Sequence, residues 1–291
     1  MSKNKMDDLP TTYYFGRIHL NRSVGDDFSK DHKKWCLEQI KSLLYKPHDI
    51  TPLRPNTDFN WYFGGIHEAD DLIIGKLGRV RKRKTKTYYD KEKRDFKDEE
   101  VEDEDGSYSN FFIDCSKMLI IFERRKIVGQ MQFRDVFSND YNTFFKQEEG
   151  MSIEFLKDET KIEEIIKDAT IHYMNFTVVP TNPDAFLETR IIDEELKRMQ
   201  AKKAKLRFEN KEGGMKIEED SIASSAIALC NRGYGDYTID YEKEGKTGRI
   251  SSKRKAIAHE EKRPKTAEEA IKIAKKLLEY ANKLLKLKDA K

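Results

Sequence analysis

The sequence contains no long apolar run and few of the residues that build metal sites or disulfides. No apolar stretch approaches the roughly 20 residues that a membrane-spanning helix needs, and the first ten residues are polar, unlike a secretory signal. The three cysteines, Cys36, Cys115 and Cys230, are far apart and form no CxxC pair, which excludes a zinc site of the usual spacing. We therefore expect a cytoplasmic protein with reduced thiols and no membrane insertion.

Motifs for catalysis are also missing. The six histidines show no HxH or HExxH spacing, no Ser or Cys lies in a nucleophile elbow, and no glycine-rich loop ends in Gly-Lys-Ser/Thr. The Asp/Glu-x-Lys piece of metal-dependent nucleases occurs at Glu159–Lys161 and Glu195–Lys197, but both matches fall in predicted helices. We expect no catalytic residue, no metal and no cofactor, and we keep a metal-dependent nuclease as an alternative.

Charge is abundant and unevenly placed. Charged residues make up 37% of the chain, yet the formal net charge is only +3. Residues 242–291 contain sixteen Lys or Arg and eight Asp or Glu, so the rest of the chain is net acidic. A basic end on a neutral-to-acidic body favours a partner that carries negative charge, such as nucleic acid.

Hydrophobic periodicity predicts an α+β fold. Strands are expected at Tyr13–Leu20, within 60–89 and 110–133, at Met151–Leu156 and Ile171–Val179, and in a hairpin at Gly233–Lys253. Helices are expected at Lys30–Leu44, Thr160–Ala169, Ile192–Phe208 and Ala267–Leu287. We interpret these as two small mixed sheets with helices on one face, followed by a long amphipathic C-terminal helix.

A domain boundary is predicted near residue 148. Residues 1–148 would form an N-terminal α+β domain with a basic hairpin and an acidic loop at Asp98–Asp105. Residues 149–291 would form a C-terminal α+β domain that begins with a β-α-β unit and ends in a hairpin and a helix.

The terminal helix begins at a capping box, Thr266–Glu269, in which the Thr hydroxyl accepts from the third helical amide. Its apolar residues follow at 3-4-3-4 spacing. This seam either packs on the body of the same chain or forms a homodimer or docking surface, and it consists of Ile271, Ala274, Leu278, Ala281 and Leu285.

The first candidate binding segment runs from Arg79 to Lys86. Its basic residues are suited to neutralising phosphates without sequence preference. They are Arg79, Arg81, Lys82, Arg83, Lys84 and Lys86. One alternative is a charged edge strand that prevents aggregation between sheets. Another is that the acidic run Asp98–Asp105 neutralises the charge of this segment.

The second candidate lies before the terminal helix. It comprises Arg249, Lys253, Arg254 and Lys255, with Lys262, Arg263 and Lys265 beyond. Arg232, in the glycine-containing segment Asn231–Gly235, is a further candidate because it and Tyr234 have side chains that stack on bases. The alternatives are an exposed linker for the first group and an ordinary turn for the second.

The order of several segments resembles RexA-type phage-exclusion proteins and their bacterial relatives. The segments are Ile74–Arg79, Phe111–Asp114, Leu119–Phe122, Val178–Pro183 and the Gly233-Tyr-Gly hairpin before a C-terminal helix. The resemblance implies a dimeric, two-domain, DNA-binding protein of bacterial anti-phage defence.

Together these features predict a non-enzymatic nucleic-acid-binding protein. Duplex DNA is the first expected partner, a homodimer the expected assembly, and phosphate electrostatics the main source of affinity. A protein-interaction subunit of a phage or defence complex, docking a second protein through the C-terminal helix, is the alternative.

Overall fold

The computed structural model describes residues 10–21, 31–46, 48, 50, 59–81, 84–90, 95–101, 106–148, 150–157, 168–181, 189–218, 220–252 and 256–284. These residues form five α-helices and thirteen strands, and every strand pairing between them is antiparallel. The predicted α+β class is confirmed, with sheets that are antiparallel rather than mixed. None of the described helices is long and apolar enough to span a membrane.

The elements follow one another along the chain with these bounds. The strands are β1 (Thr11–Leu20), β2 (Phe59–Ala69), β3 (Leu72–Arg81), β4 (Lys84–Asp90), β5 (Asp95–Val101), β6 (Gly106–Asp114), β7 (Leu119–Glu123), β8 (Met151–Phe155), β9 (Thr170–Val178), β10 (Ala204–Glu209), β11 (Gly235–Lys243), β12 (Lys246–Ser251) and β13 (Ala258–Glu261). The helices are α1 (His32–Tyr45), α2 (Gln130–Phe144), α3 (Arg190–Arg198), α4 (Ile222–Asn231) and α5 (Ala267–Leu284).

A seven-stranded sheet forms the larger part of the molecule. Its strand order is β13-β1-β7-β6-β3-β2, and β8 pairs with β1 beyond the end of β13. Alternation along the strands gives the sheet two apolar faces. In β1, for example, Ile18 and Leu20 face the core beneath α1 and α2, whereas Tyr13 and Phe15 face the core beneath α5. Helices therefore cover both faces, not the single face that we predicted.

A four-stranded sheet with the order β10-β9-β11-β12 forms the smaller part. Helices α3 and α4 pack on one face, where Phe176, Ile239 and Leu229 are fully buried in one apolar cluster. The opposite face is polar, since Asn175 and Thr238 alternate with the core residues along β9 and β11. This polar face borders a cavity between the two sheets.

The two sheets divide the chain differently from the boundary predicted near residue 148. Strand β8, strand β13 and helix α5 come from the second half of the sequence, yet all three complete the larger sheet and its core. The predicted β-α-β unit is also absent as such, because β8 and β9 belong to different sheets, and its helix at 160–169 falls mostly outside the described residues. Antiparallel pairing of β8 with β1 places it in the larger sheet.

Two segments adopt a different secondary structure from the one predicted. The helix predicted over Ile192–Phe208 ends at Arg198, and Ala204–Glu209 forms β10 instead, because its alternating side chains pair with β9 and reach the core. The strand predicted over 126–133 gives way to α2, which begins after Gly129. Burial of Phe133, Phe137 and Tyr141 at four-residue spacing stabilises the helix there.

The terminal helix begins where the capping box predicts. The Glu269 amide donates to the Thr266 hydroxyl at 3.2 Å, and the Glu269 carboxylate accepts from the Lys265 amide at 2.8 Å. The predicted seam packs on the sheet of its own chain: Ala274 and Ala281 are fully buried there, while Ile271 and Leu278 are partly buried against the same cluster. Leu285 lies outside the described residues. This seam is therefore occupied within the chain.

Candidate nucleic-acid interface

The first predicted segment lies at the end of β3 and the start of β4. Arg79 places its guanidinium 4.1 Å from the centre of the Phe59 ring, Arg81 ends β3, and Lys84 and Lys86 belong to β4. Lys82 and Arg83 lie outside the described residues. The backbone register of β4 and β5 sets Lys86 opposite Glu99 and Thr85 opposite Glu100. Part of the acidic run is thus a strand whose backbone pairs with that of the basic one.

The second predicted segment is only partly basic surface. Arg249, on β12, binds Asp240 with both arms of its guanidinium, at 2.5 and 2.7 Å, and this hydrogen bonding lowers the pKa of Asp240. Lys253, Arg254 and Lys255 lie outside the described residues. The positive charge of Arg249 is therefore already compensated by a carboxylate.

Arg232 does not lie on an open surface. It is 8% exposed, and the neighbouring Tyr234 is completely buried. The segment forms the seam between the two sheets, where Arg17 of β1 donates to the Arg232 carbonyl at 3.0 Å and lies 4.7 Å from the Tyr234 ring centre. A side chain added at Gly233, whose φ is +82°, would approach Leu156 to 2.8 Å, so a glycine is required. The segment is a buried turn, which contradicts the predicted role of Arg232.

A different set of residues forms a basic surface with exposed aromatic rings. We call it the aromatic–basic patch, and it consists of Tyr62, Lys76, Tyr108, Arg263 and Lys265. It lies on the α5 face of the larger sheet, beyond the N-terminus of α5. Tyr62 is 41% exposed and Tyr108 is 37% exposed, so both rings are accessible from solvent.

Strand register places these side chains side by side. Tyr62 of β2 and Tyr108 of β6 both pair with Gly78 of β3, so the two tyrosines are two strand spacings apart, about 10 Å. Lys76, two residues before Gly78, points to the same face. A side chain at Gly75 would overlap the ring of Phe111, so glycine there lets the opposite face pack tightly beneath the patch.

Two cations lie over the ring of Tyr108. The Lys76 ammonium lies 4.8 Å and the Arg263 guanidinium 4.4 Å from its ring centre, distances typical of cation–π contacts. Arg263 also donates to the Tyr108 carbonyl at 3.4 Å. The ring therefore concentrates positive charge at one position on the sheet.

A buried carboxylate fixes Arg263 in this position. Glu123 is completely buried, accepts from the Asn110 side-chain amide at 2.7 Å and from the Thr11 hydroxyl at 3.3 Å, and binds Arg263 at 3.1 Å. The Tyr13 hydroxyl donates to the carbonyl of Lys262, next to Arg263. Burial, reinforced by the Glu123 charge, raises the pKa of Tyr13, which stays protonated as a donor. The segment before α5 is thereby held against the sheet.

A cavity of about 300 Å³ opens between this segment and the sheet. Lys76, Tyr108, Arg263 and Lys265 line it together with the first residues of α5. Lys76 and Lys265 are exposed, the N-terminus of α5 adds a partial positive charge, and the buried Glu123 binds both Arg263 and Arg125. The cavity is therefore suited to a phosphate group next to a ring.

Sequence reasoning had included Arg263 and Lys265 as a continuation of the second segment, but it missed Tyr62, Lys76 and Tyr108. The alternation of Trp61 and Phe63 toward the core was a usable signal, because it leaves Tyr62 pointing outward. No comparable signal joins Tyr108 to Arg263, which are 155 residues apart.

The nuclease fragments do not form a catalytic group among the described residues. On α3, Glu195 pairs with Arg198 at 2.6 Å and Lys197 pairs with Asp193 at 2.8 Å. Glu159–Lys161 lies outside the described residues. Within the part of the chain that the structure describes, no group of three or more His, Cys, Asp or Glu is placed to hold a metal ion.

Comparison with known protein families gives one match over most of the chain. The family model described as "Domain of unknown function (DUF4747)" matches residues 45–279. The search of curated proteins gives no match. Because the family model covers well over half of the sequence, the chain belongs to the DUF4747 family.

Proposed function

We propose that this DUF4747 protein is a non-enzymatic, cytoplasmic nucleic-acid-binding protein that uses the aromatic–basic patch. Lysine and arginine would neutralise phosphates and release counterions, and the tyrosines would contact bases or sugars. The observation that carries the proposal is the convergence of Lys76 and Arg263 on the ring of Tyr108 beside an open cavity.

The exposed tyrosine rings indicate whether the patch binds single-stranded or duplex nucleic acid. Duplex DNA was the partner expected from the sequence, since charge alone does not distinguish strands. Tyr62 and Tyr108 add surfaces on which unpaired bases stack, and this favours a single-stranded segment at the patch. We therefore propose that the patch binds single-stranded nucleic acid more tightly than duplex of the same length.

Charge reversal tests the proposal directly. Replacing Lys76 and Lys265 with glutamate removes two phosphate contacts without touching the buried Glu123. We expect affinity for a fluorescent oligonucleotide to fall on the order of 100-fold, about tenfold for each lysine. Fluorescence anisotropy with single-stranded DNA, duplex DNA and RNA measures the loss and ranks the three forms.

A matched control separates the patch from net charge. Lys216 and Lys246 are exposed lysines of the smaller sheet and its loops, so their replacement with glutamate changes the net charge by the same amount. Affinity should remain near that of the wild type. Equal losses in the two double variants would show that binding is a general charge effect and would contradict the patch.

The basic segment 79–86 needs its own test. Replacing Arg81, Lys82, Arg83 and Lys84 with glutamate would give a large loss if the segment extends the patch. Pairing of β4 with the acidic β5 predicts a smaller loss than the Lys76 and Lys265 reversal. An unchanged affinity would remove the segment from the interface.

We further propose, from the resemblance to RexA-type proteins, that binding serves anti-phage defence and that the protein is a homodimer. A dimer would have to use a surface other than the seam of α5, which packs on its own sheet. A plaque assay with the Lys76 and Lys265 double variant tests the defence role. Full protection by a variant that no longer binds nucleic acid would contradict it.

A further inference from the structure

The cavity of the aromatic–basic patch is lined by cations and, among the residues that the structure describes, by no carboxylate. Its basic lining residues are Lys76, Arg263 and Lys265. The cavity between the two sheets carries acidic as well as basic groups, and its charged lining residues are Arg134, Asp135, Glu154, Lys203 and Asp236. Of these two cavities, the one at the patch has the lining that favours an anion.

An irregularity in the neighbouring strand positions Lys76. The pairing of β2 with β3 shifts register between Gly64 and His67, and Gly65 within the shift has a φ of +58°. A side chain built at Gly65 would lie 3.4 Å from Cδ and 3.8 Å from Nζ of Lys76, so the lysine side chain passes over this glycine. The ammonium thereby reaches the ring of Tyr108, and no carboxylate of the described part of the chain forms an ion pair with it.

The inner end of the cavity is closed by the core of the larger sheet. Ile74 and Gly75 of β3 and Ala270 of α5 line it there. Ile74 and Ala270 are buried members of the apolar cluster beneath α5, so a strand that enters from the patch cannot continue through this side. The volume of about 300 Å³ is also at the lower end of the range of small-molecule sites. The cavity therefore suits the end of a strand better than a segment that passes through.

A phosphate at the end of a strand also differs in charge from one within it. A terminal phosphate monoester carries roughly two negative charges near neutral pH and three acceptor oxygens, whereas a phosphodiester carries one charge. Lys76 and Arg263 meet at the cavity wall, over the ring of Tyr108. Glu123 binds Arg263 at 3.1 Å and Arg125 at 3.5 Å, so this one carboxylate faces two cations. The local excess of positive charge favours the doubly charged terminal phosphate.

We propose that the cavity of the aromatic–basic patch binds the terminal phosphate of a single nucleic-acid strand, so that the protein recognises strand ends. The proposal rests on the proposed nucleic-acid binding and specifies which part of the strand is bound. The phosphate lies beside Lys76 and Arg263, and the terminal nucleotide contacts the ring of Tyr108. The next nucleotides leave the cavity over the open surface of the sheet toward Tyr62.

Fluorescence anisotropy of the full chain with an internally labelled, single-stranded oligonucleotide tests the proposal. One sequence is prepared with a 5′-phosphate, with a 3′-phosphate, with hydroxyls at both ends, and as a closed circle. We expect a phosphate at one of the two ends to raise affinity about tenfold over the hydroxyl-ended strand, because it adds charge-assisted hydrogen bonds. The circle should bind no more tightly than the hydroxyl-ended strand.

Charge-matched controls separate end recognition from general attraction. A hydroxyl-ended strand that is longer by two nucleotides gains two phosphodiester charges, and its affinity should rise less than that of the phosphorylated strand. Lys76→Met should reduce the preference for the phosphorylated strand to less than about threefold, and Lys265→Met should reduce it independently. Lys216→Met, at an exposed lysine outside the patch, should leave the preference unchanged. Tyr62→Ala should weaken both strands and preserve their ratio.

The results separate the strand-end proposal from the proposed function. Equal affinities for phosphorylated and hydroxyl-ended strands, or a circle that binds as tightly as the phosphorylated strand, would overturn end recognition and leave nucleic-acid binding by the patch intact. Equal gains from a phosphate at either end and from the longer strand would show a general charge effect and would also overturn it. A preference that neither lysine variant changes would contradict the assignment to this cavity. Absence of binding by all the oligonucleotides would overturn both proposals.

Discussion

Two arginine–tyrosine pairs, one buried between the two sheets and one in the aromatic–basic patch, show how a structural contact differs from a proposed binding surface. Arg17 lies 4.7 Å from the Tyr234 ring centre, and Arg263 lies 4.4 Å from that of Tyr108. The first pair is almost completely buried between the sheets, where Arg17 also donates to the carbonyls of Arg232 and Lys117. The second pair opens onto a cavity beside an exposed lysine.

The comparison shows that residue type alone does not distinguish a binding site from a structural contact. Both pairs combine a cation with an aromatic ring, and the sequence analysis kept Arg232 and Tyr234 as a candidate site beside the alternative of an ordinary turn. Between the sheets, two backbone carbonyls accept from Nε and Nη1 of Arg17 and the Tyr234 ring is buried, so the pair stabilises the fold. In the patch, the buried Glu123 binds Arg263, and the Tyr108 ring faces an open cavity.

Removing the anchor of the patch should have the largest effect. Glu123→Ala deletes a completely buried carboxylate and leaves Arg263 and Asn110 without their acceptor. We expect unfolding free energy to fall by about 3–5 kcal/mol, measured by urea denaturation. Glu260→Ala, an exposed carboxylate on β13, is the control and should cost less than about 0.5 kcal/mol. Similar losses in the two variants would contradict the anchoring role.

Acidic pH should lower the free energy of unfolding through His19, which lies between the two sheets. Its Nε2 is 2.6 Å from the Gly233 carbonyl oxygen. Burial lowers the pKa of His19 from 6.5 to about 3. The unfolded chain then binds a proton below about pH 6.5 that the folded chain does not, so stability falls as pH drops from 6.5 toward 3.

The loss of stability from His19 is measured by comparing the wild type with the His19→Gln variant. At pH 4.5 the loss from His19 should be about 2–3 kcal/mol. The stability difference between the wild type and His19→Gln should therefore shift by that amount between pH 7 and pH 4.5 in urea denaturation. A difference that does not change with pH would show that His19 is not held neutral in the seam.

The Tyr62→Ala variant tests whether the exposed ring of the aromatic–basic patch stacks on bases. The ring is exposed, so stability should change little, whereas stacking on an unpaired base contributes about 1–3 kcal/mol. Affinity for single-stranded DNA should fall more than affinity for duplex, as measured by fluorescence anisotropy. Tyr45→Ala removes an equally exposed ring of α1, on the other side of the sheet. Losses of the same size in both variants would argue against stacking at the patch.

Local signals were sufficient for much of the fold. The capping box located the start of α5, and the hairpin predicted at Gly233–Lys253 contains β11 and β12, whose turn residues Glu244 and Gly245 both have positive φ. Long-range pairing was not predictable in this way. Strand β8 pairs with β1 across more than 130 residues of sequence, and no local pattern distinguishes this partner from β9.

The candidate site was predictable only in part for the same reason. Counting basic residues found Arg263 and Lys265, but it also found Arg232 and Arg249, which are buried and ion-paired respectively. Whether a charge is available depends on which carboxylate or carbonyl lies nearby in three dimensions. Glu123 holds Arg263 beside the ring of Tyr108, Asp240 binds Arg249 on β12, and both contacts depend on strand register.

The salt dependence of oligonucleotide binding tests the central claim most directly. The logarithm of the association constant should fall steeply and linearly with the logarithm of salt concentration between about 50 and 200 mM. In the Lys76 and Lys265 double reversal, the slope should be shallower by about 2. Identical slopes for the wild type and the variant, or a wild-type affinity that salt does not change, would contradict the aromatic–basic patch as the nucleic-acid interface.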